Sequence, residues 1–113
     1  MEELRKYVRI PEDSQILYKV IPSEKSGEYL TKDISQGGIR FLVHSFIPKD
    51  SNLRVRLTLH NADVAIEALV RLVWIKEVPH SERYEVGVRF IDIPPKATEY
   101  LINYIRSALS TQR

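Results

Sequence analysis

Two short motifs contain most of the side chains in this sequence that could bind a small ligand. The first holds Arg5 and Arg9 with Lys6 between them, and the second, Asp-Ile-Ser-Gln-Gly-Gly, covers residues 33–38. Arg5 and Arg9 lie on the same side of an extended or a helical segment, so with Lys6 they form a flexible basic clamp. Arginine matches phosphate oxygens and the O6 and N7 atoms of guanine, whereas a carboxylate suits the guanine N1–H and 2-amino group. Together the motifs predict a site for an anionic, guanine-like ligand.

The second motif also has a simpler interpretation, which the sequence leaves open. Asp33 and Ser35 share a face if the strand continues to Ser35, and Gly37-Gly38 lets the backbone turn or approach a ligand closely. Taken alone, the motif could be a hairpin turn in which Asp33 and Ser35 bond local amides, just as the arginines alone could belong to a solvated tail. Neither motif places a base beside a nucleophile, so we do not expect an enzyme.

Length and composition favour a single domain over residues 1–113. A chain of this length with 43% hydrophobic residues can bury one core. Without cysteine it has no disulfides or thiolate ligands, which suits a reducing cytosol. The charged start lacks the apolar run of a signal peptide, and no run of about 18 apolar residues occurs. We therefore expect a cytoplasmic protein without membrane insertion. The three histidines are too widely spaced to predict a metal site, and we expect no cofactor.

The charge balance argues against nucleic acid as a partner. A net charge of +2 is small for a nonspecific nucleic-acid binder. Arg54 and Arg56 could touch RNA from one strand face, but the aromatic residues of a stacking platform are missing beside them. A small RNA-binding β-barrel therefore stays only as an alternative.

Alternation of apolar and polar residues predicts six strands followed by one helix. The predicted strands are 16–21, 28–34, 39–43, one from residue 53 onward, 64–76 and 84–90. Short strands separated by turns indicate an antiparallel barrel over residues 14–92, an all-β fold with a C-terminal helix over 94–110. The apolar stripe of that helix is expected to cover an open end of the barrel, with a partner-binding surface as the alternative.

The two motifs together resemble the signature of the PilZ domain family, bacterial receptors for the second messenger cyclic di-GMP. The matching residues are Arg5 and Arg9 for Arg-x-x-x-Arg, and Asp33, Ser35 and Gly38 for Asp-x-Ser-x-x-Gly. The strand ending in Trp74, the run 84–90 and the closing helix also lie where the family has them. The resemblance covers roughly residues 4–106, nearly the whole chain.

This resemblance implies a six-stranded antiparallel barrel in which residues 1–12 fold over the barrel surface and clamp cyclic di-GMP. Arg5 and Arg9 would then hold guanine and phosphate, and Asp33 would hold the guanine edge. Ser35 and Gly38 would make close polar contacts. Secondary contacts are assigned to Lys6, Gly37, Arg40 and Trp74.

Two positions refine these expectations. Family members that bind an intercalated pair of cyclic di-GMP molecules often carry a further arginine where this chain has Leu4, so Leu4 favours one ligand molecule. Trp74, the only tryptophan, is expected in the core because it shares a predicted strand face with Val70 and Leu72; packing against a ligand base is the alternative, which the resemblance supports.

The expected function is thus that of a receptor that changes conformation on binding cyclic di-GMP and signals to a separate effector protein. Such an effector would control motility, adhesion or exopolysaccharide. The main alternative is a PilZ-type protein-interaction module that binds no nucleotide and uses the helix stripe as its contact surface.

Overall fold

The computed structural model describes residues 7–23, 25–59 and 64–110. In this part of the chain, seven strands are followed by one helix. Their bounds are β1 Arg9–Pro11, β2 Gln15–Ile21, β3 Ser26–Ser35, β4 Gly38–Val43, β5 Asn52–Thr58, β6 Ala65–Glu77, β7 Tyr84–Asp92 and α1 Pro95–Ser110. No helix among the described residues is long and apolar enough to cross a membrane.

Six of these strands form a closed antiparallel barrel. The strands follow the order β3-β2-β5-β6-β7-β4, and a further pairing between β3 and β4 closes the ring. The predicted barrel with a C-terminal helix is therefore confirmed. The short β1 is an addition, because it pairs with the end of β3 at 33–35, beyond the part of β3 that pairs with β2.

Strand β1 was not predicted from the sequence. The first predicted strand begins at Ile16, and residues 1–12 were expected to form a flexible segment. Three residues that end in proline have no alternation from which a strand could be predicted. The strand is formed by long-range contacts, since it pairs with β3 in antiparallel register and buries Ile10 in the core. This pairing fixes Arg9 against the barrel. Arg5 and Lys6, and the family-based inference from Leu4, lie outside the described residues.

The helix contributes side chains to the barrel core. It begins at Pro95, where a proline costs no intrahelical hydrogen bond. Leu101 is fully buried and Ile105 is 7% exposed, and both belong to the same apolar cluster as the inward residues of the strands. Part of the predicted apolar stripe of the helix thus packs onto the barrel core, and its use as a cap for an open barrel end stays a prediction. Leu109, near its end, is 39% exposed.

A bulge in β6 changes which side chains point inward. The pairing with β7 shifts between Leu72, which opposes Val88, and Trp74, which opposes Gly87. An extra residue in one strand reverses the alternation beyond it, so Ile75 packs against the core and Trp74 does not. The expectation that Trp74 lies in the core is therefore wrong.

Candidate ligand-binding site

The strand register aligns four residues across the outer surface of the barrel. Asp33 of β3 opposes Arg40 of β4, Arg40 opposes Gly87 of β7, and Gly87 opposes Trp74 of β6. Directly opposed residues of a sheet point to the same face. The sheet therefore brings the carboxylate of the second motif onto one surface with a tryptophan from a distant part of the sequence.

Asp33 is the centre of an ion-pair network on this surface. Its Oδ1 lies 2.7 Å from Arg9 Nη1, and its Oδ2 lies 2.7 Å from Arg40 Nη2. Arg40 also contacts Glu85, with 2.8 Å between Nη1 and Oε2. The Asp33 side chain is only 11% exposed, and two guanidinium groups compensate the cost of burying its charge. The network thus holds Arg9, the described arginine of the first motif, directly against the second motif.

The second motif forms a tight connection between β3 and β4. The buried Ser35 hydroxyl accepts hydrogen bonds from the Gly37 amide at 3.1 Å and the Gly38 amide at 3.2 Å. This is the local bonding of the simpler turn interpretation. Gly38 serves close packing rather than an unusual backbone angle, since its φ is not positive. A Cβ there would lie 2.0 Å from the carbonyl oxygen of Val88, so β4 and β7 approach each other too closely for any side chain.

A cavity of about 790 Å³ lies beside this turn, within the size range of small-molecule sites. Its wall combines the turn with two arginines and three aromatic residues. These residues are Ser35, Gln36, Gly37, Gly38, Arg9, Arg89, Tyr7, Trp74 and Phe90. A wall of this composition offers cations for phosphate and flat surfaces for a base.

Two aromatic rings of the wall, those of Tyr7 and Trp74, lie against glycines. The Tyr7 ring covers Gly37, where a Cβ would lie 2.6 Å from a ring carbon. The Trp74 indole covers Gly87, where a Cβ would lie 2.3 Å from the indole nitrogen. Glycine at these two positions lets each ring pack directly against the backbone of the barrel. The Lys76 ammonium lies over the Trp74 ring, 5.8 Å from its centroid.

The helix is tied to the segment that follows β1. The Tyr104 hydroxyl donates a hydrogen bond to Glu12 Oε2 at 2.8 Å. Burial raises the pKa of Tyr104, and the hydrogen bond to the Glu12 carboxylate raises this pKa further. The hydroxyl therefore stays protonated as a donor, which links α1 to the segment that positions Arg9.

The predicted site residues fall into three groups. Those that line the cavity are Arg9, Ser35, Gly37, Gly38 and Trp74. Asp33 and Arg40 lie beside it and join it through the ion pair with Arg9. Arg5 and Lys6 lie outside the described residues. Among the described residues, no group of three or more histidine, aspartate or glutamate side chains could hold a metal ion.

Among the wall residues that the sequence did not predict, Tyr7 and Arg89 are the two whose positions carried a signal. Tyr7 lies between the two arginines of the first motif, so its position was a signal. Arg89 follows Gly87 at an outward position of β7, and a glycine inside a strand often marks a close approach. Neither signal was sufficient without the structure, in which the strand register pairs Arg89 with Gly38 and the Tyr7 ring packs on Gly37.

A closed six-stranded barrel followed by a helix that packs on its core, with a surface cavity beside the β3–β4 turn, defines the class of the protein. The family model of the PilZ domain matches residues 3–107. The chain belongs to the PilZ domain family. Among curated proteins, none matches the chain.

Solved structures share this fold at low sequence identity. The Bacillus subtilis inhibitor of motility MotI/DgrA is 22% identical, with a TM-score of 0.83 over 99% of this chain and 55% of its own. Escherichia coli YcgR in complex with c-di-GMP is 16% identical, with a TM-score of 0.79 over 96% of this chain and 47% of its own. The PilZ domain of YcgR with c-di-GMP is 17% identical, with a TM-score of 0.72 over 93% of this chain and 91% of its own. The chain therefore spans about half the length of the first two proteins and corresponds to one PilZ domain.

Proposed function

We propose that this chain is a receptor for cyclic di-GMP, which binds in the cavity between the β3–β4 turn and Trp74. The observation that carries the proposal is the composition of that cavity, which combines Arg9, the motif turn and the Trp74 ring. Guanidinium groups suit phosphates and the O6 and N7 atoms of guanine, and an indole face suits a stacked base. Family membership and the c-di-GMP complexes of YcgR support the same ligand.

Each motif residue has a proposed role in binding one ligand molecule. Arg9 binds phosphate or the guanine O6 and N7 atoms, and Arg5 completes the clamp. Asp33 accepts from the guanine N1–H and 2-amino groups, because a carboxylate has about four acceptor positions and its two ion pairs leave some of them available. Ser35 and Gly38 form the close wall of the site.

The proposal is for binding rather than catalysis. The described wall of the cavity contains no aspartate, glutamate or histidine. These are the side chains that most often serve as a general base, which must lie within hydrogen-bond reach of the proton that it removes. The polar side chains of the wall are suited to hold an anion instead.

The proposed output is a change of surface that a separate cytoplasmic effector protein recognises. Tyr7 and Gln36 line both the ligand cavity and a second, more apolar groove. The α1 side of this groove includes Ile102, Ile105 and Leu109. A ligand that moves Tyr7 therefore changes both sites at once. Control of motility, adhesion or exopolysaccharide is the proposed process.

Isothermal titration of cyclic di-GMP into the wild-type chain and the Arg9→Ala variant tests the proposal. We expect binding in the micromolar range or tighter, and a loss of about 2 kcal/mol in the variant, because a charge-assisted contact to the ligand is removed. Arg56→Ala is the matched control, since Arg56 forms an exposed ion pair with Glu67 outside the cavity wall. Its affinity should equal that of the wild type.

A folded wild-type chain that gives no heat with cyclic di-GMP would contradict this function. The interaction-module alternative would then take its place. In that case the Arg9–Asp33 ion pair would serve the structure alone, and Arg9→Ala would change the unfolding midpoint without changing any nucleotide affinity.

Intrinsic fluorescence offers an independent prediction, because Trp74 is the only tryptophan of the chain and lines the cavity. Contact of a guanine base with the indole should change the emission intensity saturably, with the same midpoint as the calorimetric titration. GMP at equal nucleotide concentration is the control for absorption by the base. Binding heat without any change in emission would place the ligand away from Trp74.

A further inference from the structure

Arg89 is a cationic group of the cavity wall with no ion-pair partner among the described residues. Its side chain is exposed and lines the cavity, and none of the ion pairs between described residues includes it. Arg9, the other arginine of the wall, is already held by Asp33 at 2.7 Å. An anion can therefore contact Arg89 without breaking an existing ion pair. An anion that contacts Arg9 must either share this guanidinium group with Asp33 or displace it from Asp33.

The strand register places the two arginines on opposite sides of the motif turn. Arg9 of β1 opposes Ser35 of β3, and Arg89 of β7 opposes Gly38 of β4. Strands β3 and β4 lie between β1 and β7. Three interstrand spacings therefore separate the backbones of β1 and β7, a distance of about 14 Å along the sheet. Gly38 has no side chain between them. Two long arginine side chains can therefore reach one ligand from opposite walls.

We propose that Arg89 binds a phosphate of the nucleotide on the β7 wall, opposite Arg9. A cyclic dinucleotide carries two phosphates, so one guanidinium group on each wall gives each phosphate a planar, charge-assisted contact. This inference rests on the proposed function and adds to it a residue outside both sequence motifs. The simpler interpretation is a solvated arginine on a strand face, and it predicts no effect on binding.

Titrations of cyclic di-GMP at roughly 50 and 300 mM salt into wild type, Arg89→Ala and Arg54→Ala test the role of Arg89. We expect Arg89→Ala to weaken the affinity by about tenfold at the lower salt concentration and to make its salt dependence shallower. Arg54→Ala removes the same charge from an exposed position of β5 outside the cavity wall. It should stay within about twofold of wild type, as distant exposed charges are screened.

Folding controls and a second variant sharpen the test. Thermal unfolding of Arg89→Ala should match wild type, because the side chain is exposed and forms no ion pair within the described part of the chain. Arg89→Lys should recover part of the affinity, since lysine keeps the charge but loses the planar fork.

Three results would overturn the inference. Unchanged affinity of Arg89→Ala, with wild type binding normally, would overturn the role of Arg89 alone and leave the proposed function intact. Weaker binding with an unchanged salt dependence would also overturn it, because the contact would then be to the base. Wild-type protein that binds no cyclic di-GMP would overturn both the proposed function and this inference.

Discussion

Gly38→Ala is expected to lower the free energy of unfolding by about 3 kcal/mol or more and to abolish binding of cyclic di-GMP. A Cβ at this position would lie 2.0 Å from the carbonyl oxygen of Val88 and 3.2 Å from the Cα of Arg89. Both are backbone atoms of β7, so β4 and β7 must separate at the pair Gly38–Arg89. Urea unfolding followed by circular dichroism measures the first effect, and calorimetric titration measures the second.

Gly37→Ala is the matched control for this experiment. The three atoms nearest to its Cβ would all belong to the Tyr7 ring, with 2.6 Å to the nearest carbon. That side chain is 41% exposed and can rotate away. We expect a cost of roughly 1 kcal/mol or less in unfolding free energy. Equal destabilisation by the two alanines would show that close approach of β7 is not the reason for glycine at position 38.

Leu101→Ala is expected to lower the unfolding free energy by about 3 kcal/mol, because it leaves a cavity where α1 packs into the barrel core. Leu101 is fully buried and contributes to the same cluster as the inward strand residues. A helix that covers the barrel end must unfold together with the barrel. Chemical denaturation monitored both by Trp74 fluorescence in β6 and by far-ultraviolet circular dichroism should therefore give one coincident transition.

Leu109→Ala in the same helix removes the same atoms from a side chain that is 39% exposed. The change in intrinsic helix propensity is the same for both variants, so it cancels in the comparison. We expect Leu109→Ala to change stability by about 0.5 kcal/mol or less. Similar losses from both variants, or a helix transition that precedes the barrel transition, would contradict the role of α1 as a cap.

Most of the fold could be predicted from the sequence because the barrel strands alternate apolar and polar residues over their length. The strand from residue 53 and the last strand, 84–90, are clear cases, and β5 and β7 occupy these positions. Strand β1 could not be predicted, because three residues carry no periodic signal and its partner lies on β3. The direction of the Trp74 side chain could not be predicted for a related reason. The bulge reverses which side chains face the core beyond it, and the composition of the strand does not reveal a single extra residue.

The sequence by itself determined the types of residues available for the site and the order of the elements that hold them. Local periodicity and turn residues are properties of short segments, and the motifs at Arg9 and at 33–38 are visible without any structure. Only the tertiary structure decided which distant side chains meet. The ion pairs of Asp33 with Arg9 and Arg40, and the presence of Trp74 and Arg89 in one cavity, follow from strand register. Register is fixed by closure of the whole barrel around its core, which no short segment of sequence encodes.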